Sequence, residues 1–341
     1  MQTSSISSIT TGPRQSNFEL LRIVAMLLVL VVHADFWSIG SPDAADFHSE
    51  PLSTITRTLM EAIAIVCVNL FILVSGWFGI RASLRGFVNF AFQVFFFSAG
   101  ACAVLILTGQ VSPSPTSICV FLYKSCTPWF VVSYTGLYLF APVLNIFIER
   151  SSCRDLAIFL ICFYLFQTIL GWPGRADFVC GGSSTFSFIG LYVLAAFLRK
   201  CKTEKYKWGW MLYAVCTPIT ALLYFIQVRY GLQIDAIAYA SPFVVLASVG
   251  LFLVFARMRM RHSRIINWVA KSAFAVYLFH CNNHYMSDLL YKPLFQNIYR
   301  DYSGVQYFGV AMLGILAFFI AAIILDQPRK WLWKLIQQRF K

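Results

Sequence analysis

The sequence predicts an all-α, polytopic membrane protein with about ten transmembrane helices and both termini in the cytoplasm. Apolar residues make up 59% of the chain and charged residues only 12%, so the composition cannot cover a water-exposed surface. Long apolar runs recur from one end of the chain to the other, at lengths that suit bilayer-spanning helices. The basic residues are divided unevenly between the loops, and this asymmetry predicts the orientation.

The apolar runs predict ten spans, of which the sixth is the shortest. They are 18–38, 58–79, 86–109, 127–149, 155–173, 183–199, 208–228, 239–256, 266–284 and 305–325. Residues 1–16 are polar and predict a disordered cytoplasmic tail. The remainder divides into a membrane domain, 17–335, and a short cytoplasmic carboxyl-terminal tail, 336–341.

The orientation follows from the basic residues. With the amino terminus inside, 19 of the 27 Lys and Arg residues fall in inside segments and six in outside loops. Arg22 and Lys271 lie within spans and complete the total. Basic cytoplasmic loops beside anionic lipid also account for the net charge of +13, so the sequence predicts no nucleic-acid partner.

The cysteines and small motifs mainly exclude classes of function. The ten cysteines include no CxxC pair and no complete set of metal ligands is evident in the sequence, so the expectation is no metal. No glycine-rich phosphate loop occurs. Cys119, Cys126 and Cys180 fall in predicted outside loops, where a disulfide among them could form in an oxidising compartment.

The first span carries the strongest functional signal. It reads NFELLRIVAMLLVLVVHADF, with one arginine, Arg22, near its start and one histidine, His33, near its end. Eleven residues at about 100° each return the two side chains to nearly the same helix face, roughly 16 Å apart along the axis. Ionisable groups inside a membrane are costly and mark functional sites. A cation and an imidazole on one stripe indicate a polar path through the bilayer.

His33 is the candidate general base, because a neutral imidazole can take a proton from a hydroxyl near neutral pH. The structural alternative is a histidine that hydrogen-bonds a neighbouring helix. Glu61, at a similar depth in the second span, is the candidate carboxylate that orients His33, against a helix-end carboxylate in water. Asp35 is two residues from His33 and therefore points to another face.

Three arginines are candidates for binding an anionic ligand that arrives from the cytoplasm. Arg22 could bind phosphate, or it could pair with Glu19 three residues earlier or snorkel to the interface. Arg81 and Arg85, in IRASLRGF after the second span, share a helix face and could form a second phosphate clamp; positive-inside anchoring is the alternative.

His280 and His284 have the i, i+4 spacing of a zinc pair, but no third ligand is evident, and helix–helix hydrogen bonding is favoured.

Four segments, in order along the chain, carry a resemblance to a known family. They are the Arg22-to-His33 spacing, VNLFILVSGWF, PWFVVSYTGLYLFAPVLN and KSAFAVYLFH. Together they resemble the integral-membrane acyltransferases called acyltransferase family three, over about residues 17–335. Members O-acylate bacterial surface glycans and related molecules.

The resemblance implies transfer of an acyl group, usually acetyl, from cytoplasmic acyl-coenzyme A to a hydroxyl of a surface polysaccharide or its lipid-linked precursor. The family's catalytic histidine corresponds to His33 and its donor-binding arginine to Arg22. The family's second basic motif has arginines three apart, whereas Arg81 and Arg85 are four apart. The expected ligands are acyl-CoA as a donor substrate rather than a bound cofactor, a glycan acceptor, and lipid of the bacterial inner membrane.

Three questions stay open on the sequence alone. His33 could act as a general base on the acceptor hydroxyl, or it could carry a transient acyl group on its imidazole. No hydrolase-like domain follows the membrane domain, so the chain is expected to complete the transfer there or to hand the acyl group to a polysaccharide-synthesis partner. The alternative function is a non-enzymatic glycan transporter or flippase, although no inverted repeat is detected.

Overall fold

The computed structural model describes residues 14–172, 176–205, 207–281 and 287–339. Helices account for 80% of the structure, and no strand occurs in the described ranges. The all-α prediction is therefore confirmed. The predicted disordered tail, 1–16, lies outside the described residues except for its last three, and helix α1 already begins at Ser16.

The first half of the chain forms eight helices within the described ranges. They are α1 (Ser16–Ala34), α2 (Ala44–Ser49), α3 (Pro51–Ala64), α4 (Cys67–Phe78), α5 (Leu84–Leu107), α6 (Pro115–Cys126), α7 (Trp129–Arg150) and α8 (Cys153–Phe166). A π-helical turn, Gln167–Gly171, extends α8.

The second half continues the bundle. Its helices are α9 (Thr185–Lys200), α10 (Gly209–Tyr230), α11 (Pro242–Arg257), α12 (Arg264–Ala270), α13 (Ala273–Cys281), α14 (Lys292–Asp301) and α15 (Gly304–Arg339). Another π-helical turn, Ser287–Tyr291, leads into α14.

Seven helical segments of the described chain are long and apolar enough to cross a membrane. They are Ser16–Ala34, Pro51–Phe78, Leu84–Leu107, Trp129–Arg150, Cys153–Gly171, Gly209–Tyr230 and Gln306–Gln338. Each overlaps a predicted span. The three other predicted spans fall on α9, α11 and the α12–α13 pair, whose helices are shorter. The chain is thus a multi-pass membrane protein, while the count of ten and the orientation stay predictions.

Helix α1 lies at the centre of the bundle, where it packs against α3, α4, α11, α12, α13 and α15. Its first turn is held by side chains: Ser16 accepts a hydrogen bond from the Ser263 backbone and donates to Asn267, and Asn17 donates to the Phe255 carbonyl. Near its other end, Tyr291 donates to the Leu30 carbonyl over 2.7 Å. These contacts fix the height of α1 relative to the helices around it.

Two glycine positions allow helices to approach closely. A Cβ at Gly76 on α4 would overlap the backbone of Tyr192 on α9, and a Cβ at Gly250 on α11 would lie 2.7 Å from the Gly209 carbonyl on α10. Small residues at such crossings let membrane helices pack by van der Waals contact. The α4–α9 and α10–α11 pairs are therefore tightly packed, and α4 and α11 in turn contact α1.

A side chain of the last helix, α15, donates a hydrogen bond to the two-residue break between α12 and α13. Asp326 is fully buried and pairs with Arg329 over 2.7 Å and with Lys330 over 3.0 Å. The ammonium group of Lys330 also donates to the hydroxyl of Ser272, one of the two residues between α12 and α13. The carboxyl-terminal part of α15 therefore lies at the same end of the bundle as the start of α13.

The structure corrects the expectation about cysteines. Cys119, Cys126 and Cys180 are free thiols, and the disulfide joins Cys153 to Cys201, with Cα atoms 6.2 Å apart. This disulfide links the start of α8 to the residue after α9. The helices bring two loop cysteines together that are 48 residues apart, a pairing that sequence spacing does not reveal.

Candidate active site

A cavity of about 320 Å³ opens between α1, α4, α5, α7 and α13. Arg22 and His33, both on α1, belong to its wall. The two residues that the eleven-residue spacing predicts on one helix face therefore line the same cavity. Because they lie roughly 16 Å apart along the helix, the cavity extends across much of the apolar thickness.

His33 has a histidine as its hydrogen-bond partner. The Nδ1 atom of His33 lies 2.8 Å from the Nε2 atom of His280 on α13. The Nδ1 atom of His280 lies 2.6 Å from the backbone carbonyl of Val276. A carbonyl oxygen can only accept, so His280 carries its proton on Nδ1 and donates it to Val276.

The tautomer of His33 follows from this chain of hydrogen bonds. With its proton on Nδ1, a neutral His280 can only accept at Nε2, and His33 must then donate from Nδ1. The Nε2 atom of His33 then carries a lone pair, and no hydrogen bond to this atom occurs among the described residues. The arrangement defines which nitrogen of His33 could accept a proton, in the way that a hydrogen-bonded partner orients a catalytic histidine.

Packing holds the two imidazoles in place. The His33 ring lies 4.8 Å from the ring of Trp37, and the His280 ring lies 5.1 Å from that of Tyr291, measured between centroids. His280 is buried, with 2% of its surface exposed. Because α1 and α13 pack against each other, the two histidines are in direct contact, and each lies within a helix.

The opposite end of the cavity is cationic. Arg14, Arg22 and Lys271 all belong to its wall. Glu19 is nearly buried and pairs with Arg22 over 2.8 Å and with Arg14 over 3.6 Å. The intrahelical pair expected as the alternative for Arg22 is therefore formed, yet the arginine side chain is still 32% exposed. Its guanidinium keeps donors that Glu19 does not use, and these could bind phosphate.

The structure gives the position beside His33 to His280 rather than to Glu61. Glu61, on α3, is buried with 2% exposure, but no described hydrogen bond joins it to His33, and it lines neither described cavity. The orienting role predicted for Glu61 depends on depth alone, and no hydrogen bond among the described residues supports it. Asp35 pairs with Arg57, in agreement with its expected orientation away from His33.

Arg81 and Arg85 lie outside the cavity. Both are exposed, Arg81 before α5 and Arg85 in its first turn, and neither belongs to the cavity wall. Their predicted role as a phosphate clamp is not tested by this geometry. His284, the predicted partner of His280 in a zinc pair, lies outside the described residues.

Sequence reasoning missed three features of the site. From the sequence, Lys271 is only a cation within a span, although a second intramembrane cation besides Arg22 itself indicates a functional site. His280 was paired with His284 on helical spacing, whereas its partner His33 is 247 residues away in the sequence. Asn89 and Gln93, the two amides of the apolar stretch FVNFAFQVFFF on α5, also line the cavity.

A cluster of three metal-ligand residues is present at the histidines. The ligand atoms of His33, His280 and Cys281 lie within 4.8 Å of one another. The two histidine nitrogens, however, are separated by 2.8 Å, a hydrogen-bond distance shorter than the roughly 3.3 Å between ligands of a tetrahedral zinc ion. The geometry therefore describes a hydrogen bond between the two rings.

The fold and the site define a multi-pass membrane protein with a hydrogen-bonded histidine and three cationic side chains on the wall of one cavity. The family model described as "Acyltransferase domain", for acyltransferase family three, matches residues 15–326, nearly the whole chain. The chain belongs to this acyltransferase family. Neither a curated protein nor a solved structure matches it.

Proposed function

We propose that this protein transfers an acyl group, most simply acetyl, from cytoplasmic acyl-CoA to a hydroxyl of a bacterial surface polysaccharide or its lipid-linked precursor. Family membership supports acyl transfer, and the helices support a membrane location. The observation that carries the mechanism is the hydrogen-bond chain from His33 through His280 to Val276. It leaves one unprotonated imidazole nitrogen at the cavity.

In the proposed reaction the donor enters at the cationic end. Arg22, with Arg14 and Lys271, binds the phosphates of coenzyme A, and Arg81 and Arg85 add an outer contact. The pantetheine arm extends into the cavity, because its reach is comparable to the separation of Arg22 and His33. This assigns the cationic end to the cytoplasm of a cell whose inner membrane holds the protein.

The chemistry takes place at the Nε2 atom of His33. This nitrogen removes the proton from the acceptor hydroxyl while the hydroxyl oxygen bonds to the thioester carbonyl carbon. The tetrahedral intermediate then collapses, the carbon–sulfur bond breaks, and the departing thiolate takes the proton from His33. The products are an ester and free coenzyme A. An acyl-imidazole route would use the same nitrogen as a nucleophile.

His280 keeps His33 in the productive tautomer. Its Nε2 atom accepts the Nδ1 proton of His33, which stabilises the positive charge that His33 acquires during the reaction. His280 is buried, whereas His33 lies on the cavity wall. His280 is thus a positioning residue, because it acts through His33 rather than on the substrate.

The test is a strain lacking the gene, complemented with wild type or with His33→Gln. Glutamine retains size and hydrogen bonding but cannot act as a base, so we expect the ester acyl signal of the glycan in NMR to fall roughly a hundredfold. The matched control is His48→Gln, which changes an exposed histidine on α2 and should restore the full signal.

Two results would contradict the proposal in different ways. Full complementation by His33→Gln would make His33 a structural residue. A deletion strain that keeps its glycan esters but fails to export the glycan would point instead to a transporter or flippase.

A further inference from the structure

Two amide side chains on α5 each contain a buried atom that makes no hydrogen bond among the described residues. The Oδ1 atom of Asn89 and the Nε2 atom of Gln93 are both shielded from solvent and make no hydrogen bond among the described residues. Both residues line the cavity that holds Arg22 and His33. Gln93 as a whole is 8% exposed.

Unsatisfied polar atoms of this kind are costly. Leaving one buried donor or acceptor without a partner costs about 1–3 kcal/mol, and most such atoms in proteins are satisfied. The residues around Asn89 and Gln93 on α5 are mainly phenylalanine and valine, which need no partner. Two amides in such a wall therefore indicate a polar ligand in the cavity.

The two amides lie between the cationic mouth and the histidines. On α5, the ring of Phe90, beside Asn89, stacks on that of Phe274 with centroids 5.2 Å apart. Phe274 is three residues after Lys271 and six before His280 on the opposite wall. Asn89 is thus near the level of the mouth, and Gln93 is one helical turn further along α5, about 6 Å.

We propose that Asn89 and Gln93 bind the two amide groups of the pantetheine arm of the acyl donor, an inference that rests on the proposed function. An amide group offers an N–H donor to Asn89 and a carbonyl acceptor to Gln93, the counterparts of the unpaired atoms. Two methylenes separate the amides of pantetheine, which places them about 5 Å apart from bond lengths. The i, i+4 spacing of Asn89 and Gln93 presents side chains on one face at a matching interval.

This binding mode gives the arm a defined path. Phosphates at Arg22 and Lys271 hold one end, and the amides of the arm contact α5 along the middle. The thioester then reaches the level of His33. Without these hydrogen bonds the desolvated amides of the arm would oppose entry into an otherwise apolar wall.

The experiment measures binding of coenzyme A and of 3′,5′-ADP, its nucleotide part without the arm, to purified protein in nanodiscs. We expect Gln93→Leu to weaken binding of coenzyme A about tenfold, the effect of losing one or two hydrogen bonds, and to leave binding of 3′,5′-ADP unchanged. Asn89→Leu should act in the same direction. Leucine removes a polar group from an apolar wall, so both variants should fold.

The matched control is Gln110→Leu, which changes an exposed glutamine just beyond α5 and should bind both ligands like wild type. Unchanged affinity for coenzyme A in Gln93→Leu would overturn the inference, because water would then be satisfying the amides. An equal loss for 3′,5′-ADP would also overturn it, since the effect would not depend on the arm. Wild type that binds neither ligand would instead overturn the proposed function.

Discussion

Helix α1 carries an arginine–carboxylate pair at each end, and the two pairs differ in what surrounds them. Near its start, Arg22 binds Glu19 over 2.8 Å, and the arginine side chain is 32% exposed. Near its end, Asp35 binds Arg57 of α3 over 2.6 Å, and both side chains are less than 10% exposed. Arg57 precedes the predicted span 58–79, but α3 begins six residues before it.

The remaining contacts of the two arginines explain the difference. Arg57 also donates to the Gly40 carbonyl over 2.6 Å, and its guanidinium lies 5.0 Å from the centre of the Tyr299 ring. Arg22 has Glu19 on one side and an open cavity on the other. A guanidinium satisfied by protein on all sides is structural, whereas one with spare donors facing a cavity is suited to bind a ligand.

The largest effect is expected from Arg57→Ala. Removing one partner of a buried ion pair leaves the carboxylate of Asp35 uncompensated, which costs about 3–5 kcal/mol. We therefore expect a large fall in the thermal unfolding temperature of the detergent-solubilised protein. The double variant Arg57→Met with Asp35→Leu removes both charges and should recover most of the stability. A stable Arg57→Ala protein that has lost coenzyme A binding would contradict the structural role of Arg57 and make it a binding residue.

Arg22→Ala should have the opposite effects: it should preserve stability and weaken binding of coenzyme A. The pair with Glu19 is partly exposed and contributes little to stability, so the thermal unfolding temperature should not change. Affinity for coenzyme A should fall about ten- to a hundredfold, because charge-assisted hydrogen bonds to phosphate contribute roughly 1.5–3 kcal/mol. Arg22→Lys should be intermediate, since an ammonium group cannot make the bidentate contact.

The control for Arg22 is Arg229→Ala, which removes an exposed cation from the end of α10. It should change neither stability nor affinity. If Arg22→Ala bound coenzyme A as wild type does, the pairing with Glu19 would be the whole role of Arg22.

The comparison also shows how far the sequence determines the site. Helical periodicity correctly placed Arg22 and His33 beside one cavity, because both lie on one rigid helix whose geometry is known in advance. The partner of His33 could not be read in the same way. His280 reaches it from α13, and which residue of a neighbouring helix faces His33 depends on how that helix is rotated and packed. Depth in the predicted span favours Glu61, yet no hydrogen bond between Glu61 and His33 occurs among the described residues.

The smallest effect is expected from Arg81→Ala and Arg85→Ala, which test the proposed outer contact with the donor. Both residues are exposed and lie outside the cavity wall, so water and salt screen their attraction to phosphate. We expect each variant to weaken coenzyme A binding only a few-fold at low ionic strength, with the difference vanishing at high salt, whereas the Arg22→Ala defect should persist. A salt-resistant loss as large as that of Arg22→Ala would show that these arginines close over the bound donor. The spare donors that distinguish Arg22 from Arg57 would then not be the main determinant of phosphate binding.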